Sequence, residues 1–196
     1  EKIIDDCEES LKKLGTDYLD LYLIHWPDRS QNTEEAFEAF NKLLETKKIK
    51  SFGVSNFNIA HLKDSMPIAE KVGLNISVNQ VEFHPLLHQK ELLDFCRENG
   101  ITITAYSPLG RGAVLDNPVL KEIAEKHDKT PAQISLRWLM QKNIVIIPKT
   151  SSEERVKENI NIFDFELSDE EMEKIDNIEG QERQVKPAFH DFDYAG

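Results

Sequence analysis

Short apolar runs alternate along this chain with longer stretches of helical period. Leu21-Tyr22-Leu23-Ile24, Phe52-Gly53-Val54, Val78-Asn79-Gln80-Val81-Glu82, Ile103-Thr104-Ala105-Tyr106 and Ile144-Val145-Ile146-Ile147 read as strands, rich in β-branched and aromatic residues. Between them the period changes. Ile3, Ile4, Cys7, Leu11 and Leu14 share one helical face and Gly15 is a natural C-cap, so the chain opens on a helix and its first strand, Leu19 to Ile24, comes second. Asn32 and Glu35 have capping-box spacing before a helix carrying Phe37, Phe40, Leu43 and Leu44. A further helix carries Leu62, Met66 and Ala69 and stops at Gly73, and another stops at Gly100. Helices are also predicted from Asn117 to His127 and after Thr130-Pro131-Ala132-Gln133, which combines an N-cap, a proline at N1 and a capping-box glutamine. Ser151 and Ser168 each precede a glutamate by three residues and open the last two helices.

Strands alternating with helices predict a parallel sheet covered by helices. The polar residues cluster where strands stop: His25-Trp26-Pro27, Ser55-Asn56, Phe83-His84-Pro85, Ser107-Pro108 and Pro148-Lys149-Thr150. A (β/α) barrel gathers such tips onto one rim. The open doubly wound sheet is the alternative, but no Gly-x-Gly-x-x-Gly follows any strand. Leu109-Gly110-Arg111-Gly112 reads as a flexible loop with room for substrate contact. The stretch from Arg183 to Gly196, with Phe189, Phe192 and Tyr194, has no period and reads as a disordered terminus or a loop folded over the site.

Composition narrows the partners. A formal net charge of −12 over 196 residues argues against nucleic acid, whose phosphates need a basic face. Cys7 and Cys96 stand far apart with no Cys-x-x-Cys, so neither a disulfide framework nor a metal site is indicated, and a reduced cytoplasmic protein is the simplest reading. No apolar run approaches membrane-spanning length.

Among the strand tips, His25 reads either as a hydrogen-bonded core histidine or as a neutral imidazole that orients a substrate oxygen. Ser55, Asn56 and Gln80 serve either to satisfy loop backbone or to recognise a flat polar ligand, and Tyr106 is either core or a stacking platform. Lys149 and Thr150 end a strand, Ser151 or Ser152 caps the next helix and Arg155 lies one turn in, a combination suited to an anion. The other reading of this cluster is a solvated charged helix face.

Longer motifs carry a resemblance. Leu14-Gly15-Thr16-Asp17-Tyr18-Leu19-Asp20-Leu21-Tyr22-Leu23-Ile24-His25-Trp26-Pro27 closely resembles the aldo-keto reductase family. So do Gly53-Val54-Ser55-Asn56-Phe57, Asn79-Gln80-Val81-Glu82-Phe83-His84-Pro85, Tyr106-Ser107-Pro108-Leu109-Gly110 and Ile147-Pro148-Lys149-Thr150, in the family's order. The short loop after Tyr106 is more similar to small bacterial and protist members. The resemblance implies an α/β fold, a (β/α)8 TIM barrel, and NADPH-dependent reduction of aldehydes or ketones to alcohols, with NADPH/NADP+ as cofactor and a small carbonyl compound as substrate.

The resemblance also implies roles. His25 matches the histidine of the family's Asp-Tyr-Lys-His tetrad, and Trp26 a wall of the substrate pocket. Ser55, Asn56 and Gln80 match residues that hold the nicotinamide carboxamide, and Tyr106 the ring stacked on the nicotinamide. Ser107 and Leu109 match pyrophosphate contacts. Lys149, Thr150 and Arg155 match the grip on the 2′-phosphate, and Glu158 and Asn159 the adenine contacts. No Asp-Thr-Ala-x-x-Tyr pattern occurs, so the tetrad Asp, Tyr and Lys have no counterparts here. The expectation is therefore a single barrel domain over residues 1–196, truncated at its N-terminus: about the last five βα units, with the first three strands absent. Such a chain is expected to be inactive by itself and to self-associate, where the intact protein is a monomer. A non-catalytic NADPH-binding module of the same fold is the competing expectation.

Overall fold

The computed structural model describes residues 1–27 and 32–186. Phe189, Phe192 and Tyr194, of the expected disordered terminus or site-covering loop, lie outside the described residues. The strands are β1 (Tyr22–Ile24), β2 (Phe52–Ser55), β3 (Ile76–Glu82), β4 (Thr102–Tyr106) and β5 (Val145–Ile147). Their order in the five-stranded sheet is their order in sequence. β1 with β2, β2 with β3, and β4 with β5 pair in parallel, as short strands separated by helices require. The helices are α1 (Lys2–Leu14), α2 (Thr33–Glu45), α3 (Ile59–Lys71), α4 (Lys90–Glu98), α5 (Pro118–His127), α6 (Pro131–Gln141), α7 (Glu153–Ile160) and α8 (Asp169–Asp176).

Contacts divide the chain into two compact units. The first comprises residues 1–80 and 94–102. Its core is a seam between α2 and β2: Phe52 lies 5.3 Å from Phe37 and 4.5 Å from Phe40 between ring centroids, and all three are buried. These residues meet because Phe37 and Phe40 are three apart on a helix and so share a face. Gly53 lets the strands close up. A Cβ there would stand 2.6 Å from Leu23 Cδ2 and 2.8 Å from the Val78 carbonyl oxygen. The strand predicted from Leu19 is shorter than expected. Leu19 makes an isolated bridge to Ile49, the chain bends at Asp20, and regular pairing resumes only at Tyr22, whose N–H donates to the Ser51 carbonyl.

The second unit comprises residues 81–93 and, among the described residues, 103–186. Its centre is α6, whose Ile134, Leu136, Trp138 and Leu139 are fully buried. Trp138 packs 5.9 Å from Phe83 and donates its indole N–H to Asp176 at 2.8 Å. Leu109-Gly110-Arg111-Gly112 is not an open loop. It leads into a 3-10 turn over Gly110–Asp116, with Arg111 and Gly112 at positive φ and Gly110 and Val114 buried. Two glycines supplied the looseness in the sequence pattern; here they permit a tight turn instead. The α7 cap is Ser152 rather than Ser151, because the Ser152 hydroxyl is the one that accepts the Arg155 N–H.

Candidate functional site

In the first unit, Ser55 ends β2 and Asn56 follows it; they are 1 % and 6 % exposed. The Ser55 hydroxyl donates to the Gln80 carbonyl at 2.7 Å, and the Asn56 N–H donates to the same oxygen at 2.9 Å. Asn56 adopts φ +64°, a left-handed conformation that Asn tolerates better than most residues. This turns its amide toward β1, where Nδ2 donates to the His25 carbonyl at 2.9 Å and to Ser55 Oγ at 3.1 Å. The four tips His25, Ser55, Asn56 and Gln80 are therefore joined by hydrogen bonds. The His25 ring is exposed and lies 6.1 Å from Trp26 between ring centroids.

Asn79, a residue with no role among the sequence-based expectations, holds the turn. Fully buried, it accepts from the Phe57 N–H at 3.4 Å and donates to the Phe57 carbonyl at 2.9 Å, which fixes the chain just after Asn56. Burial pushes the Cys96 thiol up to about 11 against a hydrogen bond with Asn79 that lowers it, so it stays a protonated packing group.

In the second unit, Tyr106 ends β4 half-buried and its carbonyl accepts the Phe83 N–H at 3.4 Å. Ser107 takes φ +47° and accepts the Gly110 N–H at 2.8 Å, and Leu109 accepts the Gly112 N–H at 2.8 Å. Ser135 on α6 anchors this turn by donating to the Pro108 carbonyl at 2.9 Å.

The cationic cluster stands at the start of α7. Lys149 and Arg155 are exposed, and Thr150 Oγ1 accepts the Ser152 N–H at 3.1 Å. Glu153 and Glu154 occupy the same first turn and temper its positive end. The Ser152 hydroxyl donates to Glu154 at 2.6 Å, a bond that holds the Glu154 carboxyl below its usual range. Glu158 and Asn159 are half-buried farther along α7. Glu158 accepts the Thr130 hydroxyl at 2.6 Å, which does not exhaust a carboxylate able to accept about four bonds. Thr150 and Asn159 line a cleft of about 310 Å³ with Ile146, Pro148, Val156 and Phe163 among its apolar walls.

What places α7 is a polar stripe on α6 that the sequence reading passed over. Gln133 donates to the Glu158 and Asn161 carbonyls, Arg137 to the Ile162 carbonyl at 3.0 Å, and Gln141 to the Leu167 carbonyl at 2.9 Å. Their spacing of four along an otherwise apolar helix was the available signal. Among the described residues no three His, Cys, Asp or Glu side chains group as metal ligands, and no helix is long and apolar enough to cross a membrane.

Comparison with known proteins gives this arrangement a lineage. The family model described as "Aldo/keto reductase family" matches residues 1–179. The chain is 51% identical over 176 residues to the glyoxal reductase of Bacillus subtilis (strain 168), covering 90% of this chain and 62% of that protein. It is 45% identical over 186 residues to the 9,11-endoperoxide prostaglandin H2 reductase of Trypanosoma cruzi (strain CL Brener), covering 93% of this chain and 64% of that one. Among solved structures, the aldose reductase from Schistosoma japonicum superposes with a TM-score of 0.86 at 35% identity, covering 93% of this chain and 65% of the other. The chain thus spans less than two thirds of the length of these relatives. With a family match running from its first helix to just beyond its last, the chain belongs to the aldo/keto reductase family.

Proposed function

We propose that the intact protein reduces aldehydes or ketones to the corresponding alcohols with NADPH. The observation that carries the reading is the hydrogen-bonded set His25, Ser55, Asn56 and Gln80, in which buried Ser55 and Asn56 and half-buried Gln80 stand beside an exposed imidazole on adjoining strand tips. The Ser55 hydroxyl and the Asn56 amide spend their protons within this network, so the fit of these residues to a nicotinamide carboxamide rests on their family position. NADPH supplies the hydride when bound. Ser55, Asn56 and Gln80 hold the carboxamide, and Tyr106 stacks on the ring and sets which face is presented. Ser107 and Leu109 hold the pyrophosphate, Lys149, Thr150 and Arg155 the 2′-phosphate, and Glu158 and Asn159 the adenine. His25 orients the carbonyl oxygen and Trp26 walls the pocket.

By likeness to the glyoxal reductase, small dicarbonyl aldehydes are the first substrates to try. The 196 residues then supply five βα units of a (β/α)8 barrel in a cytoplasmic protein, and the proton donor, a tyrosine paired with lysine and aspartate, lies on further units. Dissociation constants for NADPH and NADH, measured on the complete protein and on Arg155→Ala, test the reading. Charged hydrogen bonds of about 1.5–3 kcal/mol predict roughly ten- to hundredfold preference for NADPH, lost largely in the variant. Equal wild-type affinities would remove the 2′-phosphate assignment. Tight NADPH binding by the complete protein without turnover of any carbonyl tested would favour the non-catalytic module.

A further inference from the structure

Glu82 ends β3 with none of its side chain exposed, and its carboxylate serves no role in the function proposed above. A buried carboxylate is retained only when hydrogen bonds answer its charge. Here they come from two directions. Oε1 accepts the Gln184 N–H at 2.8 Å and Oε2 the Val185 N–H at 3.0 Å, and Arg183 Nη1 lies 3.8 Å away. Oε1 also meets His84 Nε2 at 3.1 Å. One carboxylate therefore ties a segment about a hundred residues later in the chain to the tip of a central strand. Around it the tie is reinforced, since the Glu182 N–H donates to the Leu86 carbonyl at 2.9 Å and the His88 N–H to the Gln181 side chain at 2.7 Å.

The second direction is the imidazole. His84 is fully buried, and its ring lies flat beneath Gly110, where a Cβ would stand 3.3–3.4 Å from three ring atoms. Gly110 is at φ +53° and donates its N–H to Ser107. So the turn that carries Ser107 and Leu109 rests on a ring whose orientation is set by Glu82.

We propose that Glu82 is a positioning residue: through His84 it sets the turn carrying Ser107 and Leu109, and through Gln184 and Val185 it straps residues 181–186 to the same strand tip. In its cofactor consequence this rests on the NADPH reading, because the turn is assigned there to the pyrophosphate. In its structural consequence it does not.

The test is amide hydrogen exchange on the complete protein, with NADPH binding alongside. Glu82→Gln replaces one acceptor oxygen with an NH2 group that faces donors, so at least one tie is lost. Exchange at Gln184 and Val185 is expected to rise at least about tenfold, and exchange across residues 107–112 to rise with it, while α5 keeps its protection. The NADPH dissociation constant should rise about tenfold with kcat at saturation nearly unchanged. Gln184→Pro removes one donor and leaves Glu82 and His84 paired, so it should free Val185 without altering residues 107–112 or NADPH affinity. If Glu82→Gln does not fold, this second variant carries the strap test alone.

Wild-type exchange at both residues 184 and 185 in Glu82→Gln, or at residue 185 in Gln184→Pro, overturns the strap. A loosened strap in Glu82→Gln with residues 107–112 and NADPH affinity unmoved overturns the control of the turn. Absence of NADPH binding in the wild type overturns the reading of function, and the exchange data then decide the positioning role by themselves.

Discussion

At Asn56 one side chain meets two demands. Its φ of +64° lets the chain leave β2 sharply, and its amide bridges to the His25 carbonyl and to Ser55. A motif of Ser and Asn after an apolar run pointed to either loop satisfaction or ligand recognition, and the hydrogen bonds show the first directly. His25 is bound to that network through its backbone, so its ring can be removed without dismantling the tips. In the complete protein His25→Ala is expected to lower kcat/KM for a carbonyl substrate by roughly 10²–10⁴-fold while NADPH affinity stays near wild type. Weakened NADPH binding with intact turnover would assign the ring to the fold instead. Gly53 is the opposite kind of residue, important for what it lacks. In Gly53→Ala the new Cβ meets the Val78 carbonyl oxygen at 2.8 Å, which only a backbone shift can relieve. Urea unfolding should show a loss of about 1–3 kcal/mol, as for other overpacked interiors, and a neutral result would mean that β1 and β3 have slack.

At the scale of elements, helices were legible where their ends carry chemistry. Thr130 and Ser168 cap α6 and α8 as their spacing implied, and Asn117 caps α5 where that helix was expected to begin, because a cap is a local bond between near neighbours. At α2 the reciprocal bond differs: Glu35 accepts the Asn32 side-chain amide at 3.0 Å. Long-range attachments such as the α6 stripe and the strap at Glu82 involve partners far apart in sequence, and no local pattern announces the pairing. The strap has a pH signature. Burial opposes the charge of Glu82, but the bonds from His84 and from the Gln184 and Val185 amides outweigh it and hold its carboxyl below the ordinary value of 4.5. A carboxyl depressed in the folded state stabilises above its unfolded pKa and loses that contribution as pH falls through the folded one. Exchange at Gln184 and Val185, corrected for the intrinsic rate, should therefore be level from neutral pH to about 4.5 and accelerate only below it. Loosening between pH 7 and 5 would show that another group governs the strap.

For the molecule as a whole, the exposed apolar surface is informative. In the second unit Val145 and Ile147 on β5 are 50 % and 44 % exposed, and Val156, Ile160 and Phe163 nearby are 52 %, 65 % and 70 % exposed. A strand edge with such residues beside it is a template for association. The 196-residue chain by itself is expected to scatter light as dimers or larger species at micromolar concentration. It is also expected to give no NADPH-dependent reduction of methylglyoxal above background, since the proposed proton donor lies outside it. A monodisperse, active monomer would contradict both the edge argument and the assignment of the donor.

The alternation of apolar runs with helical periods was enough to determine α/β class and the order of elements. These are consequences of side-chain periodicity and capping, which act over a few residues. The family too was legible, because its motifs are contiguous. Tertiary structure alone decided that Leu19 is cut off from β1, that the glycine-rich stretch after Tyr106 is a tight turn, and that Ser152 rather than Ser151 caps α7. It alone brought Glu82 to residues a hundred positions away. The reason is common to all four: which backbone groups find partners depends on the neighbours that folding supplies, and buried polar groups must find one.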